Sequence, residues 1–442
     1  MSGAKIVIPA STMRWINAAP RDRAVAVLLR HTARPPLAEG DEGFDLPITE
    51  EGVRIATELG ALLGDRLRSL HASPVRRCVE TAQCLAEGAR RSLPIARDTL
   101  LGHPGAFVVH GGAGNVWREL GHETVMEHLV GAREGALSGI ADADAAARFL
   151  AHRMLREPAP GIHVFVTHDS LVTAMAARLL GTALGREAWP HYLEGAWLWR
   201  DGAQVRTAYR EHHGTRAAPL CSLSEPDVLG FARREINAVV DERVDARFFL
   251  AGGAFKTLLT GLEPRDLDLW AASEADRARL VGALRDRGAS LRETRAYSEV
   301  FQLGSRRIDV PYNCSVSTLE DRLVRFDIGL SAVGVEHASG GAMRALIHPL
   351  ALESVERRAV LLHKPLINPR HALTSLVRLR RYASELGYEL PASEEAAIWS
   401  MFEAQPPEER SEMIARLHRS VGAGALEAEL AEHTSAAQST AE

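Results

Sequence analysis

The chain has 442 residues, 46% of them hydrophobic and 25% charged, enough for two or three domains with cores of their own and an ordinary composition for a globular protein. A formal net charge of −5 excludes a surface that coats nucleic acid or is steered as a whole to a membrane. Cys78, Cys84, Cys221 and Cys314 lack paired spacing, which argues against a disulfide framework and a zinc site. No run approaches the roughly 20 apolar residues of a membrane span, and the N-terminal segment is too interrupted for a signal peptide. A cytoplasmic protein with no membrane partner is expected.

In chain order, "AVAVLLRH" (24–31) reads as a buried strand that stops on Arg30-His31. "ITEEGVRIATELGALLGDRL" follows with helical periodicity, placing Val53, Ala56, Leu59, Gly60 and Leu63 on one face behind Thr49 as N-cap. "SLHASP" is a short strand and turn, and "VRRCVETAQCLAEGA" a second helix with Arg76 and Arg77 in its first turn. "GGAGN" (111–115) follows no βαβ context and reads as a turn, not a dinucleotide loop. "IHVFVTHDS" is another apolar strand, ending on His168-Asp169, with the helical "LVTAMAARLLG" after it and a hairpin around Asp201-Gly202 beyond. Strands alternating with helices imply an α/β layered domain.

Two imidazoles, arginines and a carboxylate at strand ends are the toolkit of phosphoryl transfer through a phosphohistidine. A neutral ring nitrogen attacks phosphorus, cations hold the oxygens, and an acid protonates the leaving oxygen; no metal is required. Residues about 22–210 resemble the histidine phosphatase superfamily, which includes the phosphoglycerate mutases. The likeness rests on "LLRHTAR", "LPITEEGVRIATELG", "SPVRRCVETA" and "VFVTHDSLVTAMAARLLG", four motifs in the family's order. It implies His31 as nucleophile, a phosphate pocket of Arg30, Arg77 and His168, and Asp169 as acid. Glu119 or Glu123 on "NVWRELGHETVMEHL" is the other position for the acid. Thr32 and Glu80 depart from the family pattern, where a small residue and Gln are usual, and Arg34 is expected to face solvent.

Residues 213–226, "HGTRAAPLCSLSEP", lose periodicity and read as a linker. Then come a helix, "PDVLGFARREINAVV", and "ARFFLAGGAFKTLLTGLEPRDLDLW": a strand, Gly252-Gly253, a short helix and a strand carrying Asp266 and Asp268. Residues two apart on a strand share a face, so these carboxylates converge, which is costly unless a cation lies between them. "SRRIDVPY" adds Asp309 on a further strand. Three aspartates on neighbouring strands suit divalent cations at an in-line displacement on phosphorus. Residues past about 346 turn helical, and 355–381 hold seven basic residues against Glu356. These are expected to face water, with an RNA track as the alternative.

The stretch 247–336 resembles the polymerase-β type of nucleotidyltransferase, particularly the head of CCA-adding enzymes and poly(A) polymerases, through "GGAFKTLLTG", "DLD" and "VRFDIGLSAVGV". The likeness implies Mg²⁺ on Asp266, Asp268 and Asp309, with Asp309 also activating the acceptor, and triphosphate contacts from Gly252, Gly253 and Lys256. Lys256-Thr257 and Ser331 depart from the pattern.

The expectation is therefore an α/β protein. A histidine-phosphatase-like domain spans 1–213 and a linker 214–226. An α+β nucleotidyltransferase-like domain spans 227–345, a helical extension 346–425 and a disordered tail 426–442. The expected chemistry is phosphomonoester hydrolysis together with nucleotidyl transfer from an NTP to a small molecule or an RNA end. The alternative is a phosphatase whose second fold is inactive and senses nucleotide or binds RNA.

Overall fold

Strand β1 (Ala24–Arg30) is apolar on both sides because it is buried on both sides. Val25, Val27 and Leu29 face one apolar cluster, shared with the helices Glu50–Leu63 and Arg76–Gly88. Ala26 and Leu28 face another, shared with Ala143–Met154 and Asp169–Leu180. A strand covered on both faces reads as a continuous hydrophobic run. The computed structural model describes residues 6–37, 43–241, 243–364, 366, 368–422, 424–431 and 433. They form two compact units, Met1–Ala238 and Val239–Glu442.

The first unit is built on a seven-stranded sheet. Beside β1 it contains β2 (Leu67–Ala72), β3 (Ile95–Arg97), β4 (Gly161–Thr167), β5 (Gly195–Asp201), β6 (Gln204–Tyr209) and β7 (His212–Ala217), in the order β3-β2-β4-β1-β5-β6-β7. Strands β3, β2, β4 and β1 run parallel, and β5 to β7 form an antiparallel meander on the far side. Arg30 of β1 is in register with Thr167 of β4, so the two strands end level and release His31 and His168 side by side.

Thr49 caps Glu50–Leu63 by accepting from Gly52 N–H at 3.0 Å. The helix buries Ile55, Ala56, Leu59, Gly60 and Leu63, while Val53 is 41% exposed; the 3.6-residue stripe runs through Ile55, two positions from the expected Val53. Gly112 opens a helix to Val130, so "GGAGN" is a helix start and not an isolated turn. The helix Ala10–Ala18 lies outside the expected elements and is fastened by Thr12 Oγ1 donating to Leu193 O at 2.7 Å.

The aperiodic stretch 213–226 is not a simple linker. It starts inside β7, an edge strand whose polar side chains leave no hydrophobic alternation. The following helix, Glu225–Val239, packs on the first unit through Phe231, 6.3 Å from the Phe149 ring, and through Asp227, 2.7 Å from Arg148. The second unit therefore begins at Val239, not at 227.

Its sheet holds β8 (Phe248–Ala251), β9 (Leu267–Ala271), β10 (Ser290–Thr294), β11 (Ser298–Leu303), β12 (Arg306–Pro311), β13 (Val333–His337) and β14 (Met343–Ile347), in the order β10-β11-β12-β9-β8-β13-β14. Strand β9 alternates: Leu267, Leu269 and Ala271 are buried, while Asp268 and Trp270 lie on the open face. The helices Ala372–Leu386, Ala392–Glu403 and Pro407–Val421 belong to the same unit. Of the expected tail, Glu429 pairs with Arg380 and His433 with Glu403; residues 434–442 lie outside the described residues. No helix among the described residues is long and apolar enough to cross a membrane.

Candidate functional sites

The first site sits at the carboxyl ends of β1, β4 and β2, where open α/β sheets place ligands. The His31 ring is 3% exposed. Its Nδ1 lies 2.7 Å from Thr32 O; a carbonyl only accepts, so Nδ1 carries the proton and Nε2 keeps its lone pair. Arg77 Nε points at that Nε2 from 3.1 Å, and Arg77 Nη2 lies 3.2 Å from His168 Nδ1. The two imidazoles stand edge to face, 5.6 Å between centroids. Since Arg77 donates to Nδ1 of His168, the proton of that ring is on Nε2, facing Cys78 Sγ at 3.8 Å.

Burial holds both rings neutral. His31 titrates well below its ordinary value, through desolvation and then the nearby His168. His168 is pushed down to about 3 by desolvation and then by Arg77. The Cys78 thiol, also desolvated, is pushed up to about 12, so it stays a thiol. A neutral imidazole with an exposed lone pair beside a guanidinium is a phosphorus nucleophile next to an anion holder.

Arg30 donates to Pro190 O at 2.6 Å, pairs with Asp169 at 2.9 Å and lies 4.5 Å from the Tyr192 ring centroid. Its Nε is buried and has no hydrogen-bond partner among the described residues, a donor in want of an oxyanion. Arg34 is half-buried, not solvent-facing, and its charge reaches Arg77 and His168. Asp169 accepts from Ser170 N–H at 2.9 Å in addition to its pair with Arg30. Glu119 is exposed, and Glu123 is exposed and paired with Arg186. Arg76 is drawn away to Glu80, which also accepts from Ile48 N–H. Thr32, in place of a small residue, donates to Gly52 O at 3.0 Å and so ties the site to the capped helix. Gly102 adopts φ +133°, and a Cβ there would lie 2.7 Å from His168 Cδ2; only glycine lets this loop approach the ring. Tyr192, Cys78 and Gly102 carry no motif that would have singled them out in the sequence.

In the second unit Asp268 of β9 is in register with Asp309 of β12 on a parallel pair, so the two carboxylates share a face. Asp268 is pushed up to about 8 by desolvation, then by Asp266 and Asp309. Asp309 is raised by burial and lies 3.3 Å from Arg295. Crowded acids of this kind are hard-oxygen donors lacking a counter-charge, and Asp266 and Asp268 fit a divalent cation in that respect. Among the described residues, no three His, Cys, Asp or Glu side chains group closely enough to hold a metal ion; the expected three-aspartate set is not closed in this conformation.

Gly252 has φ +117°, and a Cβ on it would lie 3.2 Å from Asp268 Oδ2, so the Gly-Gly turn abuts the carboxylates. The helical turns that follow are short, Gly253–Lys256 and Thr257–Thr260. Lys256 stands 3.8 Å over the Tyr382 ring and is paired with Glu385. A cavity of about 510 Å³ joins Gly253, Asp266 and Asp268 to Phe326, Arg378 and Tyr382.

Of the basic run 355–381, Arg357, Arg358, Lys364 and Arg370 are exposed as expected, whereas Arg378, Arg380 and Arg381 are half-buried. Arg378 holds Asp327 through two contacts of 2.9 and 3.0 Å, and Arg381 lines the cavity beside it. Arg357, Lys364, Arg370 and Arg380 are each paired with a glutamate, and Arg358 lies over Tyr388. Arg378 and Tyr382 line the cavity from a helix that in sequence is indistinguishable from a solvated one, while Asp327 lies in the "VRFDIGLSAVGV" stretch.

The family model of the histidine phosphatase superfamily (branch 1) matches residues 26–197. No curated protein matches the chain. Among solved structures, similarity extends to one titled as a tRNA-processing enzyme complex, at 16% identity over 40% of this chain and 50% of that one, TM-score 0.31. A tRNA nucleotidyltransferase with a primer tRNA and an incoming ATP analogue is similar at 17% identity, over 40% and 54%, TM-score 0.30. The Thermotoga maritima CCA-adding enzyme with tRNA is similar at 15% identity, over 44% and 48%, TM-score 0.32. The chain spans about half the length of these structures. The N-terminal domain of this α/β protein is histidine-phosphatase-like.

Proposed function

We propose that the chain is a bifunctional enzyme, a phosphomonoester hydrolase in its first unit and an NTP-dependent nucleotidyltransferase in its second. The observation that carries the reading is the neutral His31 Nε2 facing Arg77, with His168 alongside, at the level ends of β1 and β4. The ester phosphate binds Arg77, Arg30 and His168. It displaces Asp169 from Arg30, freeing that carboxyl to carry a proton. His31 Nε2 forms the bond to phosphorus, the P–O bond to the leaving group breaks, and Asp169 protonates the departing oxygen. Water then attacks the phosphohistidine, its proton returns to Asp169, and phosphate and free His31 are released.

In the second unit Asp266 and Asp268 would hold Mg²⁺, and Asp309 joins them on leaving Arg295. When bound there, Mg²⁺ would supply charge neutralisation at the triphosphate and polarisation of phosphorus. Gly252 and Gly253 keep the turn open to the triphosphate, the cavity beside Phe326 and Arg378 takes the nucleoside, and Asp309 accepts the acceptor's proton. Lys256 reaches the triphosphate only by giving up Glu385. The acceptor is a small molecule or an RNA end. The pairing of six of the seven basic residues of 355–381 with carboxylates favours the small molecule.

His31→Ala should abolish hydrolysis of a generic phosphomonoester while leaving nucleotidyl transfer intact, and Asp266→Ala/Asp268→Ala should do the reverse. Loss of both activities from either variant would contradict two independent centres. A second reading, in which the second unit binds nucleotide without transferring it, is favoured by the pairing of Asp309 with Arg295. NTP binding with no labelled product on any acceptor would select it.

A further inference from the structure

His168 also borders a second cavity, of about 560 Å³, within the roughly 300–1,000 Å³ range of small-molecule sites. His168 and Ser170 form its inner edge, and its walls are Phe44, Phe107, Val108, Trp117, Leu129 and Leu171. None of the described residues lining it is Asp, Glu, Lys or Arg. Its polar atoms come mainly from imidazoles. Trp117 Nε1 donates to His122 at 3.2 Å, and His122 stands edge-on to Trp189 at 5.1 Å, so the aromatic wall is braced from behind. Phe44 packs on His103 at 4.6 Å across the mouth.

The division of charge is sharp. Arg30, Arg34 and Arg77 do not line this cavity; Arg77 reaches only its inner edge, at His168 Nδ1, 3.2 Å away. A leaving group bearing a carboxylate or second phosphate would be buried there without a counter-cation, which is costly. An aromatic or alicyclic group would bury apolar surface against preformed apolar walls. We infer that the phosphomonoester taken by the His31 centre carries a bulky, uncharged, largely apolar leaving group seated in this cavity. The inference rests on the phosphatase reading for its chemistry and names the substrate class of that site.

The test measures binding and turnover separately on the full chain. Dissociation constants for 1-naphthylmethylphosphonate and for 3-phosphonopropionate, by calorimetry, report the cavity. The account expects the naphthyl compound to bind at least about tenfold more tightly, as burial of one aromatic group implies, and Trp117→Ala to remove most of that advantage. Equal or tighter binding of the carboxylate compound overturns the inference, and the wild-type ratio decides this even if Trp117→Ala does not fold. Acid-quench trapping of a phosphoryl group on His31 tests the phosphatase reading independently. A naphthyl preference without trapping supports the cavity's assignment and sinks the hydrolytic chemistry; trapping without the preference does the opposite.

Discussion

At the residue scale, the site is paid for in desolvated imidazoles. In the unfolded chain His31 and His168 take up protons below about pH 6.5; in the folded chain both resist, His168 down to about 3. The unfolded state therefore binds more protons below that pH, and stability falls as pH drops, by about 1.4 kcal/mol per pH unit for each ring. Urea midpoints at pH 7.5 and 5.5 should show that loss, and His31→Ala should flatten part of it; an unchanged midpoint would show that the rings charge freely. Gly102→Ala, with its Cβ 2.7 Å from His168, should cut phosphatase kcat/KM on the order of a hundredfold by displacing the ring. Wild-type activity for this variant would remove His168 from the pocket. The Arg-His and His-Asp pairs were legible because each closes an apolar run, a pattern visible without any partner. Tyr192, Cys78 and Gly102 were not legible, because only tertiary approach gives them a role.

At the element scale, periodicity located helices better than it chose their faces. Glu50–Leu63 was readable from its Thr49 cap and its stripe: Ala56, Leu59, Gly60 and Leu63 are buried as expected, and Ile55 takes the place of the exposed Val53. Thr49→Ala should cost about 1 kcal/mol through the lost cap, readable as a lower urea midpoint; no change would mean that Gly52 N–H finds another acceptor. Helix Ala372–Leu386 shows the reverse failure. Its arginines look like a solvated face in sequence, and only packing turns Arg378 onto Asp327 and into the cavity. Arg378→Ala should weaken NTP binding by at least about tenfold through the lost charge-assisted contacts, measured by fluorescence titration, with phosphomonoester hydrolysis unchanged. Unaltered NTP affinity would move the nucleotide elsewhere. Strand β7 escaped notice because none of its residues is buried, so neither face carries an apolar period.

At the scale of the whole molecule, the two chemistries proposed for the two sheets differ in what they demand. The first centre is assembled from neutral rings and guanidinia, with Arg30 alone paired to a carboxylate, Asp169. In the second, burial and then the nearby Asp266 and Asp309 push Asp268 up to about 8, and the proposed transfer relies on a divalent cation at these acids. Chelation should therefore separate them: EDTA is expected to stop nucleotidyl transfer and leave phosphomonoester hydrolysis within about twofold of its starting rate. Loss of hydrolysis on chelation, restored by Mg²⁺, would contradict that division. The order of the elements was open to reading from the sequence, whereas the unit boundary at Val239 was not, because Asp227 and Phe231 look like any other residues of an amphipathic helix until Arg148 and Phe149 are beside them.

The most direct measurement is mass spectrometry of the protein quenched during turnover of a phosphomonoester in the presence of EDTA. A phosphoryl adduct on His31, absent from His31→Ala and formed at the rate of turnover, is the predicted result. Continued turnover with no adduct, or an adduct on any other residue, would contradict it.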